Sequence, residues 1–112
     1  MNYQPKSGDI IWIDLDPQSG HEQKGRRPAL VVWGNAALKH VPGLAQLCAI
    51  SNTDNGFPLH IALDSESADT TGFVFCEQNK VLDLNAGNAE YKDHVSEKVL
   101  RQVKNILKAM LD

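Results

Sequence analysis

Apolar residues recur along most of the chain in short runs of strand length, separated by polar and glycine-containing segments. Runs that are rich in β-branched residues and bounded by Gly, Pro, Asn or Asp are typical of strands. They predict six strands, at about residues 9–15, 29–33, 44–51, 58–63, 72–76 and 80–84. Trp12 lies between two isoleucines, so both faces of the first strand are expected to be at least partly covered.

The C-terminal segment has a different period. Its apolar residues recur at the spacing of one helix face: Val99, Leu100, Val103, Ile106, Leu107, Met110 and Leu111. Ser96 is the expected N-cap of this helix, and a short helical turn is expected at residues 36–38. The pattern predicts a mainly β protein, a small antiparallel barrel or a strongly bent sheet, covered by one late helix.

Length and composition are those of one globular domain, residues 1–112. No apolar run approaches the length of a membrane span, and the first residues lack the apolar stretch of a signal peptide, so we expect a cytoplasmic protein. Cys48 and Cys76 each stand alone among apolar neighbours, which favours reduced core side chains. A zinc site would need more ligands at closer spacing.

Charge is unevenly distributed along a chain whose net charge is −3. Residues 21–43 carry four basic side chains and one acidic side chain, whereas residues 44–95 carry two basic and eight acidic ones. One cationic loop region on an acidic body would attract a polyanion to that region and to few others.

The connection from Asp16 to Arg27 is longer than a usual hairpin loop, and long ordered loops are often functional. Arg27 lies before a proline that stiffens the strand entry, and its guanidinium suits a phosphate. His21 is suited to proton transfer, or is an exposed loop histidine. Glu22 is either a general base or the residue that holds Arg26 or Arg27 in place.

Ser51 ends the third predicted strand and precedes a turn rich in amide and hydroxyl groups. No Gly-x-Ser-x-Gly element surrounds it, so a hydroxyl donor to phosphate is a better interpretation than an acyl-enzyme nucleophile. Asn52, Thr53 and Asn55 offer contacts of the kind that readers of single-stranded RNA use. No metal-ligand set, P-loop or dinucleotide fingerprint is present in the sequence, and no cofactor is expected.

Several segments resemble the MazF/PemK toxins of bacterial type II toxin–antitoxin systems. They are G-D-I-I-W at 8–12, D-L-D-P at 14–17, G-H-E-Q at 20–23 and R-P-A-L-V-V at 27–32. Thr71-Gly72 and Glu77-Gln78 are similar to that family's T-G-x-V and D-Q elements, and Asp83 with Ala86 is similar to its D-x-x-A-R end. In the last element Gly87 stands in place of the arginine.

The resemblance implies an SH3-like barrel of the CcdB–MazF type, with about five to seven strands and a C-terminal helix, working as a homodimer. It implies a metal-independent endoribonuclease that cuts single-stranded RNA, usually mRNA, at short sequences. The ribose 2′-hydroxyl would attack the adjacent phosphate and leave a 2′,3′-cyclic phosphate and a 5′-hydroxyl. A cognate antitoxin would block the RNA groove, and DNA would be met only through that antitoxin.

The resemblance also implies roles for individual residues. Arg27 matches the catalytic arginine, and Ser51 lies where many members have a threonine. His21 matches the histidine of the PemK-like branch, whose further arginine and aspartate are replaced here by Phe75 and Glu77. We therefore expect Arg27 and Ser51 as the core pair, with His21 and Glu77 second. The expected RNA-binding residues are Glu22, Gln23, Lys24, Arg26, Asn52, Thr53, Asn55 and Gln78.

Two other functions fit the same predicted barrel, because fold alone does not decide function. One is a toxin that binds a protein target without nuclease activity, as the gyrase poison CcdB does. The other is an RNA-binding or antitoxin-binding barrel whose catalysis has lapsed through Phe75 and Gly87. The nuclease interpretation depends on Arg27 and its loop, which a gyrase poison would not need.

Overall fold

A computed structural model describes residues 3–14, 26–53, 56–67 and 69–112. In chain order the elements are β1 (Asp9–Asp14), β2 (Arg26–Val31), α1 (Asn35–His40), β3 (Leu44–Ser51), β4 (His60–Ala62), β5 (Phe73–Asp83), β6 (Glu90–His94) and α2 (Glu97–Met110). The predicted mainly β fold with a C-terminal helix is confirmed.

The six strands form one antiparallel sheet in the order β4-β5-β3-β2-β1-β6. The segments after the two edge strands meet at an isolated bridge between Ser65 and Val95. The backbone N–H of Glu66 also donates to the carbonyl of His94, at 2.8 Å. Within the described residues, the sheet therefore curls until its edges approach, but its ladder is not closed as the ladder of a full barrel would be.

The predicted fifth and sixth strands are wrong as separate elements, because residues 73–83 form the single strand β5. Its register against β3 shifts between Cys48 and Ala49, which leaves a bulge in β5. The side chain of Asn79 stabilises this bulge, donating to the carbonyl of Cys76 at 2.8 Å and accepting from Gln46 at 2.9 Å. The polar residues 77–79, which interrupt the apolar pattern of the sequence, thus mark a bulge within one strand and not the end of a strand.

Other predicted elements are confirmed with changed bounds. β1 and β3 match closely, whereas β2 begins at Arg26 because β1 pairs with it as far as Asp14. The predicted fourth strand shortens to His60–Ala62, and the predicted helical turn extends to α1. Ser96 caps α2, since its Oγ accepts from the backbone N–H of Val99 at 3.2 Å. No described helix is both long enough and apolar enough to span a bilayer.

Both faces of the sheet are covered. The α2 face carries one core cluster: Ile10, Leu30, Val32, Cys48, Ile50, Val74, Cys76, Val95, Val99 and Val103. The α1 face carries a second: Ile11, Ile13, Ala29, Val31, Leu38, Ala45, Leu47, Leu84 and Ala89. The expectation for β1 is therefore confirmed.

The two cysteines are free and buried, as predicted. Burial raises the pKa of Cys48 to about 12 and the pKa of Cys76 to about 11. Both side chains therefore stay as thiols at neutral pH and serve as apolar packing groups.

Candidate functional site

Two adjacent arginines begin β2 and point to opposite faces of the sheet, because successive strand residues alternate. Arg27 shares its face with Ala29 and Val31, which belong to the α1-face core. Its side chain is exposed. Among the described residues, no carboxylate forms an ion pair with Arg27.

Arg26 is engaged with the protein itself. Its guanidinium pairs with Glu90, lies 3.9 Å from Asp14 and donates to the carbonyl of Asn88 at 2.9 Å. These contacts tie the start of β2 to the start of β6. The structure therefore gives Arg26 a structural role, and its predicted contact with RNA stays a prediction.

Ser51 and Arg27 lie at the same end of two neighbouring strands. The β2–β3 ladder ends at the pair Ala29–Ala49, and Arg27 and Ser51 each lie two residues beyond that pair. Both residues lie on the α1 face, just past the end of the core cluster. They are 24 positions apart in the chain, and their role as a catalytic core pair stays a prediction.

The turn after Ser51 fixes the direction of its hydroxyl group. Its Oγ accepts from the backbone N–H of Thr53 at 3.2 Å, and Thr71 donates to the side chain of Asn52 at 3.1 Å. A Cβ at Gly72, whose φ is +118°, would lie 2.7 Å from the Ser51 carbonyl oxygen. Gly72 is therefore needed for β5 to approach the site this closely.

Glu77 reaches the same face from the bulge in β5. One of its carboxylate oxygens, Oε2, lies 2.9 Å from His60 Nε2. The His60 ring stacks on Phe75, with 3.7 Å between ring centroids and 5° between planes. Sequence reasoning missed His60, because a histidine within an apolar strand gives no local sign of a partner 17 residues later.

Glu77 is not adjacent to Ser51. Ser51 pairs with Phe73 and Ala49 pairs with Phe75, so Glu77 lies four positions beyond the Ser51 partner along β5. A single phosphate held by Arg27, Ser51 and Glu77 together does not suit this separation. A ligand of at least two nucleotides suits it better, with one nucleotide at Arg27 and Ser51 and the next at Glu77.

Gln78 lines a hollow of about 310 Å³ beside this face, together with Leu47, Ala49, Asn79 and Lys80. The small side chain of Ala49 lies between Phe75 on β5 and Ala29 on β2. We use the name trough for the α1-face surface that runs from Arg27 and Ser51 past Ala49 to Phe75, which has small side chains at its centre and aromatic side chains at its far end.

The departure at Gly87 has a structural reason. Asp83 closes this turn, since its Oδ1 accepts from the backbone N–H groups of Asn85 and Ala86 at 2.9 and 3.0 Å. A Cβ at Gly87 would lie 2.6 Å from Ile13 Cγ1. In this chain the turn packs directly on β1, and an arginine at position 87 would displace Ile13.

Five of the predicted site residues lie outside the described residues: His21, Glu22, Gln23, Lys24 and Asn55. Their roles stay predictions. In the described residues, no group of three or more His, Cys, Asp or Glu side chains is placed to hold a metal ion.

The described part of the site can bind a polyanion and polarise a phosphate. An exposed guanidinium and a hydroxyl group lie on neighbouring strands at one end of the trough, and groups of both kinds stabilise charge on phosphoryl oxygens. The stacked aromatic side chains offer an apolar surface at the other end.

Comparison with known proteins gives one family and several relatives. Residues 6–111 match the family model of PemK-like, MazF-like toxins of type II toxin–antitoxin systems. Endoribonuclease PemK of Escherichia coli is 33% identical over 109 residues, covering 93% of this chain and 80% of PemK. Endoribonuclease toxin MazF of E. coli K12 is 31% identical over 102 residues, covering 91% of this chain and 89% of MazF.

Solved structures agree with the sequence relatives. The crystal structure of MazF from Deinococcus radiodurans superposes with a TM-score of 0.83 at 33% identity, covering 98% of each chain. A MazE–MazF complex from the same organism gives a TM-score of 0.81 at 27% identity, covering 98% of this chain and 97% of the other.

Proposed function

Because the chain belongs to the family of PemK-like, MazF-like toxins of type II toxin–antitoxin systems, we propose that it is the toxin of such a system and an endoribonuclease. The observation that carries this proposal is the exposed Arg27, which lies just past the end of the β2–β3 ladder, as Ser51 does on the neighbouring strand. Relatives named as endoribonucleases, PemK and MazF of E. coli, cover nearly the whole chain and support it.

The proposed substrate is single-stranded RNA, in particular mRNA, cut at short sequences. The trough is open and lined by one arginine and one serine, with aromatic side chains further along. Phosphate contacts hold such a strand in register, and exposed bases of single strands stack on aromatic groups.

In the proposed reaction the ribose 2′-oxygen forms a bond to the adjacent phosphorus, and the bond from phosphorus to the 5′-oxygen breaks. The products are a 2′,3′-cyclic phosphate and a 5′-hydroxyl. Arg27 neutralises the negative charge that builds on the phosphate, and it is our candidate to deliver the proton to the leaving 5′-oxygen. Ser51 donates its hydroxyl proton to a non-bridging oxygen. The proton of the attacking hydroxyl passes to His21 or Glu77, and no metal or cofactor takes part.

The proposed partners follow from the family. We propose a cytoplasmic homodimer held inactive by a cognate antitoxin, with DNA contacted only through that antitoxin. The crystal structure of MazE–MazF from D. radiodurans supports an antitoxin partner, because its MazF chain shares this fold at 27% identity.

The test is cleavage of a long single-stranded RNA by the purified protein in EDTA. We expect discrete fragments from the wild type and a loss of about 100- to 1,000-fold in Arg27→Ala, the cost of removing one group that stabilises phosphoryl charge. Arg101→Ala is the matched control, because Arg101 is an exposed arginine on α2 whose described partner is Glu97 in the same helix.

Two outcomes would contradict the proposal. The first is RNA that stays intact after incubation with the wild-type protein, when cooperative unfolding shows that this protein is folded. That result would favour a target-binding toxin or a barrel that has lost its catalysis. Equal cleavage by wild type and Arg27→Ala would point to a contaminating nuclease.

A further inference from the structure

His60 and Glu77 form a polar pair within an aromatic environment on the α1 face. His60 Nε2 lies 2.9 Å from Glu77 Oε2. The imidazole stacks on Phe75 at 3.7 Å and meets the edge of Phe57 at 5.2 Å and 72°. The ring is thus fixed in position and orientation by its neighbours.

The two side chains differ in access to solvent. The His60 side chain is 3% exposed, whereas the Glu77 side chain is 28% exposed. A ligand in the trough can therefore approach the exposed part of Glu77, whose Oε1 atom is itself buried, but it cannot approach His60 without displacing other groups. Any effect of His60 on a ligand must act through Glu77.

Half of the hydrogen-bonding capacity of this pair is unused. His60 Nδ1 and Glu77 Oε1 are buried, and neither atom has a hydrogen-bond partner among the described residues. Buried polar atoms are nearly always paired, and a buried pair that is only partly satisfied stabilises a fold poorly. Stability alone does not account for this arrangement.

The pair of His60 and Glu77 also lies close to the residues proposed for the reaction. Phe75 pairs with both His60 on β4 and Ala49 on β3, in the row next to the one that holds Ser51. Glu77 follows Phe75 on the same face. A nucleotide that neighbours the one at Arg27 and Ser51 would lie against the carboxylate.

We infer that His60 is a positioning residue of the RNA site, whose Nε2–H holds the Glu77 carboxylate ready to accept a hydrogen bond from a bound nucleotide. The inference rests on the proposed function and adds to it a residue and a contact. In this arrangement Nε2 carries the proton that Glu77 Oε2 accepts, across the 2.9 Å between the two atoms. The nucleotide supplies a hydroxyl or N–H donor, either the ribose 2′-hydroxyl or a base edge.

The test is a mutant cycle on the cleavage rate of a fixed RNA. His60→Phe keeps the aromatic stack but removes the donor, Glu77→Gln removes the carboxylate, and His60→Gln keeps an N–H near the Nε2 position. We expect His60→Phe and Glu77→Gln to slow cleavage by a similar factor, about 10- to 100-fold, the usual worth of a hydrogen bond to a charged group. The double variant should be no slower than either single variant, and His60→Gln should recover most of the rate.

Mapping of the cut sites distinguishes the two donors. If Glu77 accepts from a base edge, Glu77→Gln changes the preferred sequence. If it accepts from the ribose, all sites slow equally. Either pattern, with the coupling to His60, supports the inference. His40→Phe is the control, because His40 is an exposed histidine at the end of α1.

A second measurement does not depend on activity. Nitrogen-15 NMR of the wild-type imidazoles should show a proton on Nε2 of His60, and this signal should shift in Glu77→Gln. Thermal unfolding should show that His60→Phe is folded, so that its loss of rate cannot be assigned to unfolding.

Several results would overturn the inference. They are a wild-type rate in Glu77→Gln, a wild-type rate in His60→Phe beside a slow Glu77→Gln, multiplied losses in the double variant, or a His60 without a proton on Nε2. These leave the proposed nuclease intact as long as Arg27→Ala is still inactive. A wild-type protein that leaves RNA intact would instead remove the proposed function, and this inference with it.

Discussion

At the scale of the residue, the turn after β3 contacts the hydroxyl group of Ser51. A hydroxyl group has one proton and two lone pairs, and Ser51 Oγ accepts from the Thr53 backbone N–H. This bond uses a lone pair and leaves the hydroxyl proton for another acceptor. Among the described residues, the carboxylates of Asp14 and Glu90 lie against Arg26 and not against Arg27.

We expect Ser51→Ala to lower the rate of RNA cleavage at saturating substrate by about 10- to 100-fold, as loss of one hydrogen bond to a charged group predicts. Ser51→Thr should stay within about threefold of the wild type, because threonine keeps the hydroxyl and suits a strand. Single-turnover kinetics measure both. A Ser51→Ala variant as fast as the wild type would remove Ser51 from the core pair.

At the scale of the element, the turn after β5 packs against the end of strand β1 and forms hydrogen bonds with it. The backbone N–H of Asp14 donates to the carbonyl of Gly87 at 2.8 Å, and Asn88 Nδ2 donates to Asp14 Oδ2 at 3.0 Å. The turn thus supports the last residue of β1, directly before the long loop. The absence of a side chain at Gly87 is what allows this contact.

Gly87→Ala should destabilise the protein by about 1–3 kcal/mol, because the new methyl group would overpack against Ile13. Gly34→Ala is the matched control and should cost less than about 1 kcal/mol, since its Cβ would meet no atom within 4 Å. Urea unfolding monitored by tryptophan fluorescence measures both. Equal stabilities of the two variants would contradict this packing.

At the scale of the whole molecule, the two edges of the sheet are held together around Asp93. This buried carboxylate on β6 accepts from the backbone N–H and hydroxyl of Ser67 and from the hydroxyl of Thr70. Burial alone would raise the pKa of Asp93, but hydrogen bonds from Ser67, Ser65 and the backbone outweigh it and hold that pKa well below its usual range. The ionised form therefore stabilises the curled sheet.

Because its folded-state pKa is lowered, Asp93 should contribute its full stability above the unfolded value of about 3.9, and lose it as the pH falls further. Asp93→Asn should accordingly be less stable than the wild type at pH 7, by about 1.5–3 kcal/mol. The difference should shrink between pH 5 and pH 2. Urea unfolding at several pH values tests this, with the exposed Asp112→Asn as control. A difference that is independent of pH would contradict the charged role of Asp93.

The candidate site was predictable in part. Arg27 before a proline and Ser51 at a strand end carry local signals, and both lie just past the same end of the β2–β3 ladder. His60 could not be predicted, because its partner Glu77 lies on another strand and is reached only through the β4–β5 pairing. The structural role of Arg26, in contrast to the exposed Arg27, also depends on contacts with the start of β6, a strand that was not predicted from the sequence.

The sequence by itself determined the mainly β class, most strands, the capped C-terminal helix and the resemblance to a toxin family. The strands and the helix were predictable because burial of one or both faces of an element gives its apolar residues a regular spacing along the sequence. Only the tertiary structure decided that residues 73–83 are one bulged strand, that the polar segment Glu90–His94 is the sheet edge, and that His60 holds Glu77. These features depend on backbone pairing and side-chain contacts between segments far apart in the chain, which leave no trace in any local pattern.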